Sequence, residues 1–107
     1  MKVGTVMFSS RLQSDRVDML AKAFLSLEND EDCYRLFEDL FTIREVQDLA
    51  QRLEVAQMLR NKATYTEIVE KTGVSTATIG RVNRALNYGA GGYERVLDRL
   101  NDEDTDR

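Results

Sequence analysis

The sequence contains no proline at any of its 107 positions. Proline inside a helix removes a backbone hydrogen bond and its ring clashes with the preceding turn, so a chain without proline can form helices along its whole length. Glycine, which weakens helix interiors, occurs only six times. Apolar residues recur at three- and four-residue spacing, which is typical of amphipathic helices. These features predict an all-α protein, and the length fits one domain.

Histidine is also absent, and Cys33 is the single cysteine. Without histidine there is no Ser-His or Cys-His nucleophile pair, no histidine base and no histidine metal ligand. One cysteine forms no internal disulfide or thiolate metal site, which indicates a reducing compartment, and a small buried residue on a helix is favoured over a reactive thiol. No apolar run has the length of a signal peptide or a membrane span. We therefore expect a cytoplasmic protein that is not an enzyme and has no metal or bound cofactor.

Charge is distributed unevenly along the chain, whose net charge is −4. Residues 1–43 carry five basic and eight acidic side chains, residues 44–88 seven and five, and residues 89–107 three and six. The acidic total argues against a nucleic-acid partner, because such proteins usually present a basic surface. However, residues 71–93 contain no acidic side chain at all. The distribution therefore indicates a local surface suited to an anionic partner.

Apolar stripes and polar breaks divide the chain into about six predicted helices within one domain over residues 12–100. The first is predicted over residues 12–28. The second, shorter helix has the apolar positions Cys33, Phe37, Leu40 and Phe41. Thr42–Glu45 has the pattern of a capping box and opens a third helix that ends near residues 61 and 62. The apolar faces of these three helices suit an interlocked dimer as well as a compact monomer, and the sequence leaves both open.

The two ends of the chain are predicted to lie outside this domain. Residues 1–11 are expected to form a flexible N-terminal arm. Near the end of the domain, a glycine-rich linker over residues 87–92 precedes a last helix with apolar positions at Tyr93, Val96, Leu97 and Leu100. Residues 101–107 contain no apolar side chain and are expected to form an acidic, disordered tail.

Residues 64–87 have the layout of a helix-turn-helix, in which a short helix, a glycine turn and a second helix follow one another. Thr64–Glu67 is a second capping-box pattern that opens the short helix. Gly73 stands where the chain must take a left-handed turn, and Ser75 is placed to cap the second helix. The inward positions of that helix are Ile79, Val82 and Leu86. An ordinary pair of packed helices is the alternative interpretation of this spacing.

The outward face of the second helix has the chemistry of a DNA-binding surface. Small and hydroxylated residues at its N-terminus allow it to enter the major groove, and free amide groups there favour a phosphate. Arg81 and Arg84 are placed to contact a guanine edge or the phosphate backbone. The residues predicted to contact DNA are Thr64, Thr66, Lys71, Ser75, Thr76, Ala77, Thr78, Gly80, Arg81 and Arg84.

Two stretches of this sequence resemble the Trp repressor family. Residues 73–86, GVSTATIGRVNRAL, are similar to its helix-turn-helix, and residues 49–60, LAQRLEVAQMLR, to the helix before it. The resemblance extends from about residue 33 to residue 100 and is especially close to the YerC/YecD branch of the family. It implies about six helices and an intertwined homodimer whose two helix-turn-helix units meet successive major grooves.

The resemblance also implies a small-molecule site beside the second helix. In the family, two arginines flank a bound tryptophan, and a glycine and a serine make room for it and hydrogen-bond to it. Arg81 matches one arginine and Arg52 corresponds to the other, whereas Val82 replaces the glycine and Ala85 the serine. A branched side chain fills space that the ring needs, and alanine removes a hydrogen bond. A different small molecule, or none, is therefore expected in place of tryptophan.

The residues and the resemblance together predict a sequence-specific DNA-binding regulator, a repressor that binds a palindromic operator as a homodimer. The expected partners are double-stranded DNA and a second copy of the chain, with no membrane. The alternative is a helical protein-interaction module that keeps the fold without specific DNA binding, which the net acidic charge favours. Enzymatic activity is the weakest hypothesis, since carboxylate clusters such as residues 30–32 are explained by a solvated helix start.

Overall fold

The computed structural model describes residues 8–105, with side chains described as far as Asp102. This part of the chain forms six α-helices and no strand, which confirms the all-α fold. The helices are α1 (Asp15–Leu25), α2 (Asp30–Leu40), α3 (Ile43–Arg60), α4 (Tyr65–Thr72), α5 (Thr76–Tyr88) and α6 (Gly92–Thr105). Among the described residues, no helix is long and apolar enough to cross a membrane.

The described chain divides into two compact units, one ending at residue 42 and one beginning at residue 43, while the single domain over residues 12–100 stays a prediction. The first unit contains α1 and α2, neither of which has a fully buried residue. Its apolar contacts include a row of three rings. The Phe24 and Phe37 centroids lie 6.3 Å apart, and those of Phe37 and Phe41 lie 6.1 Å apart. These distances are typical of favourable aromatic pairs.

α1 is shorter at both ends than the predicted helix over residues 12–28. The Ser14 hydroxyl accepts a hydrogen bond from the Val17 amide at 3.1 Å, so the helix begins after Ser14. At the other end the Ser26 hydroxyl donates to the Ala23 carbonyl oxygen at 2.7 Å, and the helix ends at Leu25. The apolar stripe suggested a longer helix because periodicity carries no information about these local hydrogen bonds.

The second unit contains the hydrophobic core, to which helices α3, α4, α5 and α6 and the turn between α4 and α5 contribute. The buried apolar residues that cluster together are Val55, Ala56, Ile68, Val74, Ile79, Val82 and Leu97. Leu86 on α5 is also buried, so all three inward positions predicted for the second helix of the motif are confirmed. Because α5 packs against α3, α4 and α6, its inner face is fixed and its outer face is available to solvent.

Helix boundaries elsewhere differ from the sequence prediction by a few residues. α3 begins directly after Thr42 and ends at Arg60, close to its predicted end, while the predicted capping box at Thr42–Glu45 stays a prediction. α5 continues through Tyr88, so the predicted linker shortens to residues 89–91. α6 continues to Thr105, although residues 101–107 were predicted to be a tail, because helical hydrogen bonding does not require apolar side chains. Residues 106 and 107 and most of the predicted N-terminal arm, residues 1–7, lie outside the described residues.

Candidate nucleic-acid interface

α4 opens with the capping box that the sequence predicted. The Thr64 hydroxyl accepts a hydrogen bond from the Glu67 amide at 3.1 Å, and the Glu67 carboxylate accepts one from the Thr64 amide at 3.0 Å. These two bonds satisfy amide groups that have no partner inside the helix. They also lower the pKa of Glu67 below its usual value of 4.5, mainly through the backbone hydrogen bond of Thr64 and then through its side chain. The first helix of the motif therefore has a well-defined start.

The turn between α4 and α5 depends on Gly73. Its φ angle is +74°, and its amide donates a hydrogen bond to the Val69 carbonyl oxygen at 2.9 Å. A β-carbon at this position would have no atom within 4 Å, so steric exclusion does not explain the glycine. The left-handed backbone does, because residues with a β-carbon are strained there. The prediction of a left-handed turn at Gly73 is confirmed.

α5 opens with Ser75 as its cap, again as predicted. The Ser75 hydroxyl accepts a hydrogen bond from the Thr78 amide at 3.1 Å and lies 3.1 Å from the Thr78 hydroxyl. Both hydroxyls are therefore engaged with each other at the start of α5. Of the two, Ser75 is exposed and Thr78 is half-buried. Their described role is to fix the start of the helix, and a contact with DNA would have to be made in addition.

The outer face of α5 is exposed and cationic. Thr76, Ala77, Arg81 and Arg84 are all exposed, and Gly80 is partly exposed between them. Neither arginine forms an ion pair with any other residue in the described part of the chain. The β-carbon that Gly80 lacks would meet no atom within 4 Å, so the glycine leaves open space on this surface. Five of the predicted contact residues are thus brought together on one accessible helix face.

The predicted contact residues on and before α4 are in a different situation. Thr66 is exposed, but the Thr64 hydroxyl caps α4, and the Lys71 ammonium lies 3.7 Å from the Glu54 carboxylate of α3. The ion pair reduces the positive charge that Lys71 presents to an anionic partner. Sequence reasoning missed it because Glu54 and Lys71 are far apart along the chain.

A cleft of about 510 Å³ lies between α3 and α5, with one wall completed by α6. All four residues predicted to bind an effector line it: Arg52, Arg81, Val82 and Ala85. The structure adds four residues that the sequence did not assign to this site: Asp48, Gln51, Thr78 and Tyr93. Helical spacing could have indicated Asp48, one turn before Arg52, but nothing in the sequence indicated Tyr93 on α6. Among the described residues, no group of histidine, cysteine and acidic side chains is placed to hold a metal ion.

A six-helix fold in which α4, a glycine turn and α5 form a helix-turn-helix with an exposed cationic face is the fold of a DNA-binding transcription regulator. The sequence profile described as Trp repressor protein matches residues 15–101. The chain belongs to the Trp repressor family.

Known relatives agree with this assignment. The chain is 53% identical over 96 residues to the uncharacterized protein YerC of Bacillus subtilis strain 168, a match that covers 90% of this chain and 92% of YerC. Among solved structures it is similar to a TrpR-like protein from Eubacterium eligens ATCC 27750, with a TM-score of 0.81 and 54% identity. The match covers 84% of this chain and 93% of the Eubacterium eligens protein. It is also similar to a candidate Trp repressor from Staphylococcus aureus, with a TM-score of 0.80 and 48% identity. That match covers 84% of this chain and 90% of the Staphylococcus aureus protein. These similarities confirm the family and the fold.

Proposed function

We propose that this protein is a sequence-specific transcription regulator, a repressor, that binds a palindromic DNA operator as a homodimer. α5 of each subunit enters the major groove, and the two half-sites lie about 34–36 Å apart, one turn of the double helix. Because its proposed target is chromosomal DNA, the protein is expected to act in the cytoplasm. The observation that carries the proposal is the accessible outer face of α5.

Charge on that face supports DNA as the partner. Arg81 and Arg84 have no carboxylate partner in the described structure, so their positive charge is available. Residues 71–93 contain no acidic side chain that would repel a phosphate, although the whole chain is acidic. Such a local field attracts the phosphate backbone, and the guanidinium groups can make paired hydrogen bonds to guanine.

Exposed apolar side chains on α1 and α3 support a dimer. Met19 and Leu25 on α1 are 74% and 73% exposed, and Ile43 at the start of α3 is 79% exposed. Large apolar side chains that stay in contact with water indicate, in each unit, a surface that a partner covers. A second copy of the chain is the partner that the family implies, and a twofold dimer would match the symmetry of a palindromic operator.

The cleft between α3 and α5 supports an effector other than tryptophan, or none. Val82, on the cleft wall, is only 3% exposed and belongs to the hydrophobic core, and it stands where the family has the glycine that makes room for the ring. Ala85 contributes a methyl group where a hydrogen-bonding side chain would be needed. Arg52 and Arg81 could bind an anionic group, with Asp48 as the acidic side chain on the same cleft. These residues fit a small polar anion better than an indole ring.

Selection of bound duplexes from a random DNA library tests the proposal. We expect one palindromic sequence to be enriched, with half-sites one helical turn apart, and a light-scattering mass of twice 12.3 kDa. Repeating the selection with tryptophan and with small anions such as inorganic phosphate tests the cleft. No enriched sequence would favour a protein-interaction module that keeps the fold without reading DNA, and a strict monomer would contradict the dimer.

A further inference from the structure

Among the residues that the structure describes, Tyr93 is the one aromatic residue that lines the cleft beside α5. It is the second residue of α6, and its half-buried ring packs against the hydrophobic core. The opposite walls of the cleft come from α5, with Arg81 and Val82, and from α3, with Arg52. The ring therefore stands where α5, α3 and α6 meet.

The position of Tyr93 is fixed by the residues that follow it on α6. Leu97, one helical turn later, is 2% exposed and lies in the core. The Asp98 carboxylate lies 2.7 Å from an Arg60 nitrogen at the end of α3. These two contacts attach α6 to the core and to α3, so they hold the backbone of Tyr93 at the edge of the cleft.

We infer that Tyr93 is a positioning residue that sets the orientation of α5 for operator binding. Its half-buried ring packs against the core at this corner of the cleft, so its removal takes away the aromatic contact there. Neighbouring atoms move partly into the space that a deleted side chain leaves. α5 borders that space, and Arg81, which is expected to contact DNA, is on the bordering segment. Loss of the ring thus changes the direction in which α5 presents its outer face.

The consequence for DNA binding is selective, and the inference rests on the proposed function. Contacts to base edges need side chains held within about 0.5 Å of their productive positions, whereas attraction to phosphates depends on charge and tolerates displacement. A misoriented α5 therefore loses preference for the operator and keeps its general affinity for DNA. An ordinary loss of stability lowers both affinities together, because it reduces the amount of folded protein.

The test compares Tyr93→Ala with Tyr93→Phe and with Val96→Ala, a variant of an exposed position on the same helix that neither lines the cleft nor belongs to the core. Affinity is measured by fluorescence anisotropy for the selected operator and for a scrambled duplex of the same length, both at the same salt concentration. We expect Tyr93→Ala to lower the ratio of the two affinities by about tenfold or more, and Tyr93→Phe and Val96→Ala to leave the ratio unchanged.

If the wild-type protein prefers the operator and Tyr93→Ala has the same affinity ratio, the positioning role is overturned and the proposed function stands. An equal loss of affinity for both duplexes would assign Tyr93 a purely structural role and would also overturn it. If the wild-type protein prefers no sequence, the proposed function itself fails, which is a different result. Amide NMR spectra provide a second measurement: Tyr93→Ala should shift the signals of Arg81 and Val82 while the spectrum stays that of a folded protein.

Discussion

The side chain of Gln51 joins α3 to the turn of the helix-turn-helix. Its Nε2 atom donates a hydrogen bond to the backbone carbonyl oxygen of Thr72, 3.0 Å away, in partly buried surroundings. Thr72 is the last residue of α4, and its carbonyl has no partner within the helix because the helix ends there. The bond therefore ties the end of α4, and with it the start of the turn, to α3.

Replacement of Gln51 with alanine should lower the free energy of unfolding by about 1 kcal/mol, because it leaves a partly buried carbonyl oxygen without a donor. Urea unfolding followed by circular dichroism measures this. Gln57→Ala is the matched control, since Gln57 lies on the same helix and is exposed. Equal stability of the two variants would mean that solvent replaces the lost bond and that Gln51 contributes little to the turn.

Replacement of Gly73 with alanine should lower the free energy of unfolding by about 1–2 kcal/mol. The cost comes from the left-handed backbone, whose φ angle is +74°, and not from a steric clash. Gly73→Asn should cost less, because asparagine tolerates this conformation better than alanine. Chemical unfolding of the two variants measures both losses of stability. Equal losses for alanine and asparagine would contradict an origin in backbone strain.

The local features of the helix-turn-helix could be predicted because short-range rules determine them. The Thr64–Glu67 capping box, the Gly73 turn and the Ser75 cap all involve residues within four positions of one another. The inward position of Val82 follows from helical periodicity in the same way. Each of these predictions needed only the identity of neighbouring residues.

The long-range features of the site could not be predicted, because they depend on how helices pack. The sequence placed Lys71 in the DNA interface, but packing of α4 against α3 puts it 3.7 Å from Glu54. Tyr93 was recognised only as an apolar position of the last helix, and its place on the cleft follows from the docking of α6. Pairing across helices leaves no periodic trace in the sequence, so only the folded chain shows it.

The pH dependence of stability should change when Glu67 is replaced with glutamine. The pKa of Glu67 is lowered from 4.5 by its hydrogen bonds with Thr64. A lowered pKa stabilises the folded protein at pH values above the unfolded pKa, and this contribution is lost as the pH falls through the folded value. We therefore expect wild type to lose more stability than Glu67→Gln between about pH 6 and about pH 3, as measured by thermal unfolding.

Glu70→Gln is the control for this comparison, because it removes the same charge from the exposed side of the same helix without touching the capping box. Its pH profile should follow that of wild type more closely than the profile of Glu67→Gln does. Parallel profiles for wild type and Glu67→Gln would show that the capping carboxylate does not contribute to the acid sensitivity of the fold.

Replacement of Gly80 with alanine should affect stability and DNA binding in opposite directions. Alanine is favoured over glycine in a helix by about 1 kcal/mol, and the added methyl group meets no atom within 4 Å, so the fold should become more stable. The same methyl group occupies open space on the face expected to meet DNA and should weaken operator binding. Melting temperature and operator affinity are measured on the same sample, with Gly92→Ala as the control away from this face. A stabilised variant with unchanged operator affinity would place Gly80 outside the interface.

Alanine at Arg81 or Arg84 should weaken operator binding by about 1–3 kcal/mol where the guanidinium reads a base edge. If the arginine binds phosphate instead, its replacement should weaken binding to all duplexes equally. It should also reduce the slope of the logarithm of affinity against the logarithm of salt concentration by about one unit. Titrations of operator and scrambled duplex at several salt concentrations separate these two roles. Arg95→Ala is the control, since Arg95 is exposed on α6 and does not line the cleft. Because neither Arg81 nor Arg84 is held by an ion pair in the described structure, their loss costs the fold little. Unchanged affinity in both variants would therefore remove the outer face of α5 from the DNA interface.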